Sequence, residues 1–188
     1  MHVLVTADTI GGVWTYTREL VTGLVRRGVR VTLVSLGEIP SPQQIQWMDG
    51  LRGLDFRPTA FRLEWMQDAE QDLAASTEYL LSIIAEDQPD LLHLNQFSYG
   101  ALPVEIPKVV VAHSDVTSWW FEVHGEMPRD SEWYRWYRHT LTQGLSGATT
   151  GSSFVGGLSA RNSSNCTTAA ALLWSSLARM RPRYRWPW

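Results

Sequence analysis

The first 36 residues constrain the fold of this chain more than any other stretch. His2-Val-Leu-Val-Thr6 is a short apolar run of the kind found in strands buried on both faces. A turn carrying Gly11 and Gly12 follows. From Val13 to Arg27 the residues Thr17, Leu20, Val21, Leu24 and Val25 recur at helical spacing. Arg26 and Arg27 suit the negative end of that helix, and Gly28 stands where a helix-terminating glycine belongs. Val29 to Leu36 is a second apolar run. Strand, turn, helix and strand in this order form a βαβ unit, so the two strands run parallel. A strand that turns through paired glycines into a helix N-terminus also suits an anion. The glycines admit close approach to backbone N–H groups, and the helix end adds partial positive charge.

The alternation continues. Ser41 opens a short helical segment from Pro42 to about Leu51, Leu54 to Phe56 reads as a weaker third strand, and Phe61 to Met66 as a loop. A long helix is expected from Ala69 to Glu86, with Leu73, Thr77, Leu80, Leu81 and Ile84 on its buried face. Asp90 to Asn95 and Lys108 to His113 are the fourth and fifth strands. Ser131 to Leu145 reads as a further helix, with Trp133, Trp136, Tyr137 and Leu141 inward. The pattern specifies an α/β fold, a Rossmann-like parallel sheet with helices on both faces.

Bulk properties exclude several classes. At 188 residues and 44% hydrophobic content the chain can bury a substantial core. A net charge of −3 gives no footprint for nucleic acid. The single cysteine, Cys166, excludes an internal disulfide framework and a cysteine-rich zinc site. No run reaches the length of a transmembrane segment, and the start lacks the basic and apolar regions of a secretion signal, so a cytoplasmic location is expected.

Three clusters fall just past the C-terminal ends of the expected strands, where open α/β sheets bind ligands. One is the Gly11-Gly12 turn, which is neither a dinucleotide fingerprint nor a P-loop, and which reads equally as a tight turn or as a phosphate contact. The second is His93-Leu-Asn95, running into Gln96 to Gly100. The third is His113-Ser-Asp115, running into Ser118 to Phe121. Two histidines on neighbouring strand ends beside a glycine turn form a candidate centre. No accompanying carboxylate motif makes them metal ligands. Trp119 and Trp120 could stack on a sugar ring or serve as core aromatics.

Taken together, Thr6 to Tyr16, Phe61 to Met66, Asp90 to Asn95 with Tyr99 to Pro103, and Val109 to Ser114 with Ser118 to Trp120 resemble the N-terminal domain of bacterial family-4 glycosyltransferases. The resemblance covers residues 1–149. It implies a retaining GT-B enzyme in which this domain mainly binds the acceptor and a second domain holds the nucleotide sugar. It further implies Gly11 and Gly12 beside the donor phosphates or sugar, His113 at the transferred sugar as the catalytic position, and His93, Asn95 and Ser114 facing the acceptor cleft. The partners would be a nucleotide sugar and an acceptor, with no metal and no separate cofactor. On this resemblance the chain alone lacks the donor half and is expected to be inactive. Two alternatives stay open: a non-catalytic sugar- or partner-binding module, and a fragment of a GT-B-like sugar-nucleotide epimerase.

The last 38 residues depart from this pattern. Residues 151–188 hold five arginines and no acid, whereas residues 1–150 hold 11 basic and 19 acidic groups. The segment 150–188 reads as an aberrant or disordered basic tail, either an out-of-frame extension or a divergent one. A sheet that ends at its fifth strand would expose an edge open to self-association.

Overall fold

The computed structural model describes residues 1–149. The expectations for the 150–188 segment lie outside the described residues. Among the described residues five strands form one sheet: β1 (His2–Asp8), β2 (Arg30–Leu36), β3 (Leu54–Pro58), β4 (Leu91–Leu94) and β5 (Lys108–Val110). Every pairing is parallel and the spatial order is β3-β2-β1-β4-β5. The chain therefore moves outward from β1 to one edge, then crosses back over it to build the other. The switch point lies between β1 and β4, where the loops after these strands diverge.

Alternation along the strands divides the core in two. Val3, Val5 and Ala7 of β1, with Val31 and Leu33 of β2, meet α1 (Gly12–Arg26) through Trp14 and Val21. Leu4, Val34, Leu36, Leu92 and Leu94 face the opposite way, against Leu80, Ile83 and Ile84 of α3 (Glu70–Asp87). Full burial of one such aliphatic side chain contributes about 1.5–3 kcal/mol, and both sheet faces are covered. α1 ends at Gly28, whose φ of +79° places it in the left-handed region. α3 ends at Gln88, also left-handed, whose N–H donates to Ile84 O.

Some boundaries differ from those read off the sequence. The segment after Ser41 is one turn of helix, α2 (Pro42–Ile45), followed by a 3-10 turn over Gln46–Met48. Its start is a capping box: Ser41 Oγ accepts from the Gln44 N–H, and Gln44 Oε1 accepts from the Ser41 N–H. Strand β5 stops at Val110 because its partner β4 stops at Leu94. His113 thus sits in the loop beyond the strand, not on it. A helix absent from the sequence reading, α4 (Val116–His124), follows directly. Asp115 caps it by accepting from the Thr117 and Ser118 N–H groups at 2.8 and 3.2 Å. On the last helix, α5 (Glu132–Thr149), Tyr134 and Tyr137 are the buried aromatics, while Trp133 and Trp136 are half-buried. The Val116 N–H donates to Tyr137 Oη, so α5 is seated by a polar anchor that an apolar stripe does not reveal.

Among the described residues no helix is long and apolar enough to cross a membrane.

Candidate functional site

The site is built at the C-terminal ends of β1 and β4. Gly11 is the N-cap of α1 with φ +68° and ψ −143°, a conformation that favours glycine. Gly12, the first helical residue, is different. Its φ is not positive, and a Cβ placed there would meet nothing within 4 Å. Gly11 is therefore explained by the turn, whereas nothing within the described chain requires a glycine at position 12. Both residues are exposed, at the positive end of a 15-residue helix.

One turn further along α1, Tyr16 and Thr17 point back over the ends of β4 and of the β5 loop. Tyr16 Oη lies 3.2 Å from His93 Nε2, and the Tyr16 ring meets His113 edge-on with centroids 4.9 Å apart. His113 Nε2 lies 2.8 Å from Asn95 Oδ1. Asn95 is buried. Its amide donates to Thr6 O at 2.6 Å and reaches Thr17 Oγ1 at 3.5 Å. The structure thus unites His93, Asn95 and His113 around Tyr16, on the helix that begins at Gly12. Ser114 is exposed and outside this network. Trp120 packs against His124 with centroids 4.3 Å apart, and Trp119 meets the same ring edge-on.

Electrostatics keep the centre uncharged. Burial, with a smaller repulsive contribution from His93, pushes His113 down to about 4. Burial also lowers His93 and raises Tyr16. At neutral pH the cluster is two neutral imidazoles and a phenol, a set of hydrogen-bonding groups with no net charge to repel or attract a substrate. Among the described residues no group of three or more His, Cys, Asp or Glu could hold a metal ion.

Three comparisons bear on this geometry. The model of Glycosyltransferase Family 4 matches residues 10–155, a span that holds the glycine turn and every member of the cluster. The chain belongs to glycosyltransferase family 4. No curated protein matches it. Among solved structures, the glycotransferase of kitacinnamycin is similar over 91% of this chain and 43% of its own, at 17% identity and a TM-score of 0.50. Arabidopsis thaliana UGT89C1 complexed with quercetin is similar over 96% of this chain and 55% of its own, at 15% identity and a TM-score of 0.48. The same enzyme complexed with UDP matches over 82% and 45%, at 14% identity and a TM-score of 0.46. The chain thus spans about half the length of the solved proteins it resembles, and the kitacinnamycin enzyme shares its Rossmann-like fold.

Two carboxylates of this family-4 chain were not singled out from sequence. Glu64, in the loop before α3, is buried and accepts from the Phe97 and Ser98 N–H groups at 2.9 and 2.7 Å. It ties the 61–66 loop to the segment leaving β4. Burial raises its proton affinity, and those two bonds oppose the rise. Asp8 ends β1 and accepts from the Ile10 N–H at 3.1 Å, bracing the start of the glycine turn. Burial, helped by the nearby Glu64, raises Asp8 from 3.8 to about 7. The first strand as read from sequence ends at Thr6, two residues short of Asp8, so the only available signal was a carboxyl shortly ahead of the glycines.

Asp8 yields a stability prediction. Folded, it holds its proton more tightly than the unfolded chain does. Its contribution is therefore fully present below about pH 4 and is lost as pH rises to about 7. Asp8→Asn keeps an oxygen for the Ile10 N–H and cannot ionise. Thermal unfolding should show the variant and the parent alike at pH 4, and the variant increasingly more stable from pH 5 to pH 8. Parallel profiles across that range would contradict a buried, proton-binding Asp8.

Proposed function

We propose that this chain is the acceptor-side domain of a retaining glycosyltransferase that uses a nucleotide sugar. The observation that carries the reading is the pairing of Gly12 with the neutral His113 cluster. Gly12 leaves open space at a helix N-terminus without any need of the fold for glycine. That space suits a diphosphate, whose charge the helix end complements. One turn along the same helix, the Tyr16 ring packs edge-on against His113. A saccharide hydroxyl entering there would meet uncharged donors and acceptors in place of an ionic site.

A separate groove of about 470 Å³ lies between α1 and α2, lined by Trp14, Thr15, Arg18, Gln43 and Trp47 among others and by no member of the His113 cluster. Indole faces, amides and a guanidinium are groups that pack against and hydrogen-bond to sugar rings.

In this reading the acceptor oxygen bonds to the anomeric carbon on the face from which the nucleoside diphosphate leaves with the old glycosidic oxygen and takes up the hydroxyl proton, so configuration is retained. The helix N-terminus helps stabilise charge on the departing phosphate. The residues described here supply one side of such a centre, and transfer requires donor, acceptor and leaving-group contacts assembled together. The purified chain, incubated with radiolabelled UDP-, ADP-, GDP- and dTDP-sugars and a mixture of saccharide acceptors, should give no detectable glycosylated product. Sustained turnover by the chain on its own would overturn the assignment of an acceptor side only.

A further inference from the structure

We infer that Asn95 is a positioning residue that holds His113 in its Nε2–H tautomer and leaves the Nδ1 lone pair free to accept a hydrogen bond from a substrate hydroxyl. The naming of that hydroxyl rests on the glycosyl-transfer reading, while the tautomer follows from the local geometry.

The argument starts at Thr6, which is fully buried within β1. Its backbone oxygen lies 2.6 Å from Asn95 Nδ2, and only a donor can occupy that position against a carbonyl. Reversing the Asn95 amide would set oxygen against oxygen in a buried strand. Asn95 is held further by its own backbone N–H, which donates to Thr6 Oγ1 at 3.2 Å. The amide orientation is thereby fixed, and Oδ1 is the atom offered to His113. Oδ1 can only accept. The His113 Nε2 at 2.8 Å must therefore carry the proton.

A neutral imidazole with hydrogen on Nε2 has its lone pair on Nδ1. Among the described residues no hydrogen bond to His113 Nδ1 is formed, and that atom is not sealed from solvent. The titratable groups facing the ring are His93 of β4 and Tyr16 of α1. Neither supplies a negative charge that would favour the doubly protonated ring. Tyr16 packs against the ring from one side and Asn95 holds its Nε2 edge, so the ring plane is set by two elements of the scaffold. Asn95 does its work through His113 and touches no reacting atom in this scheme.

The test is nitrogen-15 NMR of the imidazoles in the purified 188-residue chain at pH 7.5. For His113 the expected spectrum has a pyrrole-type, protonated Nε2 and a pyridine-type, bare Nδ1. The Nε2–H should exchange slowly enough with water to be seen directly. In Asn95→Ala the loss of the acceptor should speed that exchange at least tenfold, a change on the order of 1.4 kcal/mol, and admit the second tautomer. A wild-type ring protonated on Nδ1, or an unchanged exchange rate in a folded Asn95→Ala protein, would overturn the inference. Should the variant fail to fold, the wild-type tautomer decides alone. No sugar or nucleotide is present, so a correct tautomer without nucleotide binding would leave this inference standing and remove only the glycosyl-transfer reading.

Discussion

Gly144→Ala is expected to destabilise the protein by about 3 kcal/mol or more, a larger loss than most overpacking substitutions cause. Gly144 lies on α5 where that helix crosses the 3-10 turn Ser98–Ala101. A Cβ at Gly144 would fall inside the Phe97 carbonyl, and one at Gly100 inside the carbonyl of Gly144 itself. Gly147 meets Gly100 and Ala101 in the same way one turn later. The obstacles are backbone atoms, which cannot swing aside as a side chain does. The helix must lift off the turn, and Tyr137 would then lose its hold on the Val116 N–H at the start of α4. The segment carrying His113 lies immediately before that helix, so damage at α5 reaches the site. Urea unfolding followed by circular dichroism checks this. A matched control is Gly23→Ala on α1, where a Cβ meets only the far end of Arg27 at 3.4 Å. That change should be neutral or stabilising by up to ~1 kcal/mol. Equal midpoints for the two variants would contradict the packing described here.

The βαβ opening was legible because its signals are local. Apolar runs mark β1 and β2, a helical stripe marks α1, and Gly28 marks its end. Elements whose signal is tertiary were read less well. The apolar run of β5 continues through Val111 and Ala112 toward His113, yet ladder pairing stops where β4 stops. α4 was missed because its start depends on Asp115 turning back on the next two N–H groups, and because Trp119 and Trp120 do not form a clean stripe. Of the inward residues expected on α5, Tyr137 is buried and Leu141 packs against the core, whereas Trp133 and Trp136 are half-buried and the unexpected Tyr134 is buried.

The candidate site shows the same division. Gly11, Gly12, His93, Asn95 and His113 can be nominated from sequence because strand ends in a parallel sheet are where ligands bind. Their relation to one another could not. The Asn95 amide is fixed by Thr6, 89 residues away in sequence, and Tyr16 joins the two histidines from a helix seated on the sheet by Trp14 and Val21. Glu64 stands in an irregular segment, and the burial of Asp8 is a tertiary property that its neighbours in sequence do not signal.

The second large effect is expected on binding rather than stability. Gly12→Ala should leave the unfolding midpoint in place, since its Cβ enters open space and alanine suits a helix. The same methyl group would occupy the space proposed for a diphosphate and weaken its binding about tenfold, or 1.4 kcal/mol. The most direct measurement is an amide NMR titration of the parent and this variant with UDP, ADP, GDP and dTDP. In the parent, one of these nucleotides should shift the Gly11, Gly12 and Val13 amides most, with a dissociation constant on the order of millimolar, as befits one side of a shared site. Gly12→Ala should lose that response while keeping its fold. If the largest shifts fall at the opposite end of the sheet, around His2 and Asp87, or if Gly12→Ala binds as the parent does, the glycine turn is not a nucleotide-sugar site and the account fails.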